Sequence, residues 1–156
     1  MTGLETAYPD ASLSPGLALW RVTNAWQRAI RAALAPHDLT HVQFVLLASL
    51  TWMDRSEPVT QQDLAAHAGT DVMMTSQVLR TLETKGCVSR SRHPTDRRAY
   101  ALAPTPAGVR LASAANADVE AADREYFGAL DDDARAVFLR CLQTLEEPYR
   151  SRGRAR

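Results

Sequence analysis

The stretch RSRHPTDRRAYAL, residues 90–102, sets Arg90, Arg92, Arg97 and Arg98 around one tight turn in a 156-residue chain with no formal net charge. Guanidinium groups that close repel one another unless something anionic sits among them. The chemistry open to such a cluster is polyanion binding, because arginine keeps its charge and presents a planar fork that matches phosphate. Asp96 stands two residues before Arg98, where a carboxylate can hold that guanidinium extended. Restricting an arm before contact lowers the entropy cost of binding. Arg90, Arg92 and Arg97 are then expected beside phosphates.

Neutrality overall hides segregation. Of the 18 basic residues only Lys85 is lysine. From Arg80 to Arg98 six cations face two anions, Glu83 and Asp96, whereas from Asp118 to Asp133 seven anions face Arg124 alone. One part of the molecule is positive and another negative, which decides the surface that can meet a polyanion. Other chemistries find little to work with. Cys87 and Cys141 form no CxxC pair, and His37, His41, His67 and His93 lack metal-ligand spacing, so neither a metal nor any other cofactor is expected. No GxSxG, HExxH, P-loop or GxGxxG motif supports an enzyme. No apolar run approaches the roughly 18 residues of a membrane span, and MTGLETAYPD has neither the basic start nor the apolar stretch of a signal peptide. No membrane association and a cytoplasmic location are the expectation.

The elements that must carry the cluster can be read from caps and periodicity. Residues 1–12 read as a flexible N-terminal arm. Ser14 and Pro15 start a helix with Leu19, Val22, Trp26, Ala29 and Ala33 at three-four spacing, ended by Ala35-Pro36. Thr40 with Gln43 makes a capping box for a second helix, whose broadly apolar face holds Phe44, Leu47, Ala48, Leu50 and Thr51. Thr60 with Asp63 caps a short third helix, TQQDLAAHA, that turns inward Leu64 and Ala68 and is broken at Gly69. A fourth begins at Asp71 and is closed by Gly86. Its inner side holds Thr75, Val78, Leu79 and Leu82, and its outer side Met73, Met74, Ser76, Gln77 and Arg80. Strands at Cys87–Arg90 and Ala99–Leu102 flank the turn-rich HPTD. Thr105-Pro106 opens a long alanine-rich fifth helix to about Gly128, and a sixth runs from about Asp132 to Glu147, with Ala136, Leu139, Leu142 and Leu145 on one side. A basic tail, residues 151–156, follows.

The fold class is therefore mainly α with a small β-hairpin wing: a winged helix-turn-helix. In that arrangement the second helix of the pair projects into a DNA major groove. Gln77 suits adenine, Ser76 suits several partners, and Met73 and Met74 suit thymine methyl groups. Arg80 is placed for phosphate, and backbone N–H groups near Thr60 and Asp71 add anion contacts at helix starts. A thin hairpin tip fits a narrow minor groove, whose enhanced negative potential attracts arginine.

From Leu64 to Gly108 the chain resembles the MarR family of bacterial transcriptional regulators. The residues that carry the resemblance are Leu64-Ala65, Leu82-Glu83-Thr84-Lys85-Gly86, Arg90, Pro94-Thr95-Asp96-Arg97-Arg98 and Thr105-Pro106-Ala107-Gly108. The resemblance implies a six-helix MarR-like homodimer, with the first, fifth and sixth helices at the interface, and matches Asp96 and Arg98 to the family's Asp-x-Arg wing pair. It also implies a small aromatic effector between the lobes, for which Trp20, His37 and His41 are candidate pocket residues. Two residues depart from the pattern. His93 stands where the family often has Asp, which makes the wing more basic and pH-sensitive. Pro104 replaces a leucine, so the second strand is expected to end early.

The resulting division is a DNA-binding lobe over residues 56–104 and dimerisation helices over 13–55 and 105–150. The function expected is that of a dimeric, ligand-responsive repressor on a pseudo-palindromic operator. Two alternatives stand beside it. A thiol-based sensor would use Cys87, although that residue occupies the usual leucine position after LExKG and reads as buried filler. Cys141 reads as interface or core. A winged helix that binds protein would carry a neutral or acidic wing, unlike this one.

Overall fold

The structure, a computed structural model, describes residues 5–54 and 56–153, with side chains as far as Pro148. Residues 1–4 of the expected arm and 154–156 of the expected tail lie outside the described residues. Six helices and one hairpin follow in chain order. Helix α1 (Pro15–Leu34) begins where Ser14 accepts a hydrogen bond from the Leu17 N–H at 3.3 Å, and a 3₁₀ turn over Ala35–His37 ends it. Helices α2 (His41–Trp52) and α3 (Gln61–Ala68) both carry full capping boxes, Thr40 with Gln43 and Thr60 with Asp63. Helix α4 (Val72–Thr84) is capped by the Asp71 carboxylate, which accepts from the N–H groups of Met73 and Met74 at 2.9 and 3.0 Å.

Gly69 and Gly86 close α3 and α4 with φ of 65° and 69°, the left-handed conformation that glycine adopts without steric cost. At the second of these exits the Cys87 N–H reaches back to the Leu82 carbonyl at 2.9 Å. Cys87 therefore belongs to the helix exit. Strands β1 (Val88–Arg92) and β2 (Tyr100–Pro104) accordingly start and end later than the sequence spacing indicates. Nor does the second strand end early. Pro104 is its last residue and pairs with Val88. Leu102 sends its N–H away from β1, to the Val59 carbonyl at 2.8 Å. By the two-residue alternation of a strand, the nitrogen of Pro104 also faces away from β1, so its missing N–H costs the ladder nothing.

Helix α5 (Pro106–Tyr126) packs along α1 and α2, and α6 (Asp132–Gly153) follows it in the chain. It continues helically past the expected Glu147 end and includes Pro148. The core gathers Ile30 and Leu34 of α1, Leu46, Leu47 and Leu50 of α2, Leu64 of α3, Leu79 and Leu82 of α4, Leu102 of β2 and Ala115 of α5. Leu39 and Val59 seal the connections. In contrast, α6 has no extensive packing on another α-helix among the described residues, although its Phe138 ring lies 6.0 Å from that of Phe127. Its Val137, Leu139, Leu142 and Leu145 are exposed, as are Leu19, Trp20 and Val22 of α1. Trp52, at the end of α2, is 85% exposed.

The hairpin is joined to the long helix by one close approach. The Thr105 hydroxyl donates to the Gly86 carbonyl at 2.6 Å and the Thr105 N–H to the Cys87 carbonyl at 2.9 Å. This draws Gly108 so near that a Cβ there would sit 2.0 Å from the Cys87 carbonyl oxygen. That backbone cannot yield as a flexible side chain would. Gly108→Ala is expected to lower unfolding stability by roughly 1–3 kcal/mol, read as a fall in the urea midpoint, and an unchanged midpoint would refute the close approach.

Candidate nucleic-acid interface

Thr75, fully buried, anchors α4 beneath its outer face. Its hydroxyl donates to the Asp71 carbonyl at 2.7 Å and meets the Thr70 hydroxyl at 2.8 Å, locking the turn between α3 and α4. With Leu79 and Leu82 also buried, the opposite side of α4 faces outward. Met73 is 77% exposed, Met74, Gln77 and Arg80 are exposed, and Ser76 is half-buried. Exposed methionines at the start of a helix serve no core, and they leave a polarizable apolar surface beside polar readers. Thr60 forms the expected capping box. Its hydroxyl is taken up with Asp63, 2.6 Å from the carboxylate, and the Asp63 and Asp71 carboxylates occupy N–H groups at the starts of α3 and α4.

The wing separates its arginines into two kinds. Arg90 lies 3.2 Å from the Glu83 carboxylate of α4 and its guanidinium stacks 5.7 Å from the centre of the Tyr100 ring. It is half-buried and turned toward the protein. Arg92 lies over the same ring at 6.0 Å and remains exposed. Arg97 and Arg98 are exposed at the tip. No ion pair ties Arg80, Arg92, Arg97 or Arg98 to another described residue. Asp96 acts otherwise than through the guanidinium: its Oδ1 accepts from the Arg98 backbone N–H at 2.9 Å. His93 completes the turn, its Nδ1 accepting from the N–H groups of Thr95 and Asp96 at 3.3 and 3.1 Å. The two side chains thus cap the loop backbone and leave the tip arginines unpaired.

A cleft of about 680 Å³ opens between α1 and α5, lined by Ala29, Ala32, Ala33, Pro36, Asp118, Ala121, Ala122, Glu125 and Tyr126. None of the three candidate pocket residues lines it. Trp20 is 67% exposed near the start of α1. His37 pairs with the cleft-wall Asp118 at 2.6 Å. His41 sits edge-on to Trp26 at 5.2 Å, and the Trp26 indole N–H donates to Asp123 at 2.7 Å. Residue 38, next to His37, reaches the other way: Lys85, just past α4, binds both the Asp38 carbonyl and its carboxylate, the latter at 2.9 Å. The turn between α1 and α2 is therefore tied to α5 on one side and to the end of α4 on the other.

Comparison with known proteins agrees with this geometry. The MarR family model matches residues 39–100. The HTH-type transcriptional regulator YdcH of Bacillus subtilis is 48% identical over 123 residues, covering 78% of this chain and 84% of its own. The chain belongs to the MarR family. The HTH-type transcriptional repressor Rv2887 of Mycobacterium tuberculosis is 34% identical over 87% of this chain and 94% of its own. Its structure with salicylic acid superposes with a TM-score of 0.66 over 88% of this chain and 98% of that one. CouR of Rhodococcus jostii RHA1, bound to p-coumaroyl-CoA, is 31% identical with a TM-score of 0.77 over 89% and 94% of the two chains. A transcriptional repressor CouR bound to a 23-mer DNA duplex is 27% identical and superposes with a TM-score of 0.79 over 91% of this chain and 99% of that one.

In this MarR-family regulator several site residues escaped the sequence reading. Glu83 was visible only as part of a motif, and Tyr100, Asp118 and Asp123 gave no local signal, since their partners are distant in the chain. Cys87 is 4% exposed beneath the hairpin, so a soluble oxidant has little access to its thiol. Cys141 is exposed on α6 and belongs to no core within the protomer. Among the described residues no cluster of His, Cys, Asp and Glu is arranged for a metal, and no helix is long and apolar enough to cross a membrane.

Burial, reinforced by the positive charge of Arg31 and opposed by Asp123, lowers the pKa of His41 below the ordinary 6.5. The neutral ring is thus favoured in the folded protein. As pH falls below 6.5 the unfolded chain takes up the proton first, so stability declines until the folded-state pKa is also passed. Thermal melts from pH 7.5 down to about 5 should show His41→Gln losing less stability than the parent chain. Parallel losses would contradict a strained, neutral His41.

Proposed function

We propose that this protein is a homodimeric, ligand-responsive repressor that reads a pseudo-palindromic operator through two copies of α4 while each wing reaches the adjoining minor groove. The observation that carries the reading is the pairing of an outward-facing α4 with tip arginines that have no ion-pair partner among the described residues. Met73, Met74, Ser76 and Gln77 face base edges, Arg80, Arg92 and Arg97 lie along phosphates, and Arg98 enters the minor groove. Arg90 supports this surface from behind. Its place of action is the cytoplasm.

The dimer follows from the apolar surface that one protomer leaves uncovered. A 22-residue helix with an exposed leucine face and no extensive packing on another α-helix among the described residues is a partner-binding element. The exposed apolar start of α1 and the alanine-lined cleft beside α5 extend that surface. Two-fold symmetry then places two α4 helices about one turn of DNA apart.

Ligand response is supported by the salicylic acid and p-coumaroyl-CoA complexes of the two relatives, and by the double tie of the α1–α2 turn. A small aromatic molecule lodged between the lobes would press on a turn that Lys85 fastens to the end of the reading helix. To release DNA it must favour the spacing of α4 helices that does not fit the operator.

Capture of genomic fragments by the purified protein, followed by sequencing, should return a shared inverted repeat, and recovery of random fragments would overturn sequence-specific reading. On such a repeat, Arg98→Ala should weaken binding by roughly 1–3 kcal/mol. A change below a few tenths would remove Arg98 from the groove.

A further inference from the structure

The hairpin register places Tyr100 directly opposite Arg92, with Arg90 two residues away on the same side of β1. Both guanidinium groups lie over the one ring, at 5.7 and 6.0 Å from its centre. Their circumstances differ. Arg90 has a carboxylate, Glu83, 3.2 Å away, and its side chain is 24% exposed. Arg92 has no ion pair with a described residue and has the ring as its support. Two cations on neighbouring same-side positions would ordinarily splay apart. An aromatic ring within reach of both attracts them, since its quadrupole is negative above and below the ring.

We infer that Tyr100 is a positioning residue for DNA binding: its ring holds Arg92 extended at the edge of the wing, ready for a backbone phosphate, while Glu83 and the same ring hold Arg90 as the brace between wing and reading helix. This rests on the DNA-binding reading above and adds a residue to it. The arrangement divides the labour. Arg90 fixes the angle of the hairpin against α4, because Glu83 lies on that helix. Arg92 is left free to neutralise one phosphate. The ring lowers the number of orientations that Arg92 must surrender on contact, so its removal acts on binding before it acts on folding. The hydroxyl of Tyr100 has no part in this, and the half-exposed position of the ring tolerates an apolar replacement.

Four full-length proteins distinguish the roles: the parent chain, Tyr100→Phe, Tyr100→Leu and Arg92→Met. Each is titrated with mixed-sequence duplex DNA about three helical turns long, at several salt concentrations, and melted in parallel to confirm folding. Tyr100→Phe should match the parent. Tyr100→Leu should bind about two- to fivefold more weakly. Its plot of log affinity against log salt should flatten by up to about one charge, as Arg92→Met does in full. Adding Tyr100→Leu to Arg92→Met should bring little further loss. If the parent binds no duplex at all, the DNA-binding reading itself fails. If the parent binds and Tyr100→Leu keeps both affinity and slope, or if the two substitutions are additive, Tyr100 does not position Arg92. Should Tyr100→Leu melt far below the parent, Tyr100→Thr, which keeps strand propensity, replaces it under the same criteria, and a Phe variant as weak as Arg92→Met overturns the inference in either case.

Discussion

An accumulation of like charge without matching counter-charge governs this molecule. Two unit charges 4 Å apart in water repel by about 1 kcal/mol, and the wing crowds several arginines into thirteen residues. The fold tolerates this because the hairpin is fixed from below. Val88 and Leu102 are buried, Val59 bridges to Leu102, and Thr105 ties the returning chain to Gly86 and Cys87. Only after that anchoring are the side chains sorted. Glu83 and Tyr100 absorb Arg90, while the turn capped by His93 and Asp96 leaves Arg97 and Arg98 facing solvent. A structure that spends its carboxylates on backbone N–H groups, at Asp63, Asp71 and Asp96, keeps its cations available.

The same economy of placement shows at the other end of the protomer. The acidic run from Asp118 onward lies on the later part of α5 and at the start of α6, beyond the wing in sequence. A neutral chain thereby gathers positive charge on α4 and the wing and negative charge on α5 and the start of α6. Between the two ends, the α1–α2 turn carries His37 toward α5 and Asp38 toward Lys85. That single turn joins the wall of the cleft to the end of α4.

Local chemistry made much of the fold legible. Capping boxes at Thr40 and Thr60, the Ser14-Pro15 start and the glycine exits are short-range signals, and the helices begin and end close to where those residues demand. Strand limits were less legible, because the Cys87 N–H is spent on the helix exit and because the direction of Pro104 depends on register. Apolar periodicity on α1 and α6 marked faces without saying what covers them, and Leu19, Trp20 and Leu142 are bare in the protomer. The site was legible as charge and motif. Its internal pairings were not, since Trp26 and Asp123 are 97 residues apart and Tyr100 meets Arg90 only through the hairpin. Proximity in sequence also misdirected the reading of Asp96, whose carboxylate serves the Arg98 backbone instead of its guanidinium.

The most direct test of the account is chemical footprinting of the wild-type protein on the inverted repeat it selects. Hydroxyl radicals report access to the minor groove, and methylation of guanine N7 reports access to the major groove. The account predicts two blocks of N7 protection about one helical turn apart, each flanked on its outer side by minor-groove protection where a wing enters. Minor-groove sugars left fully open beside protected guanines would contradict it, because the unpaired wing arginines would then lack the anion their clustering requires.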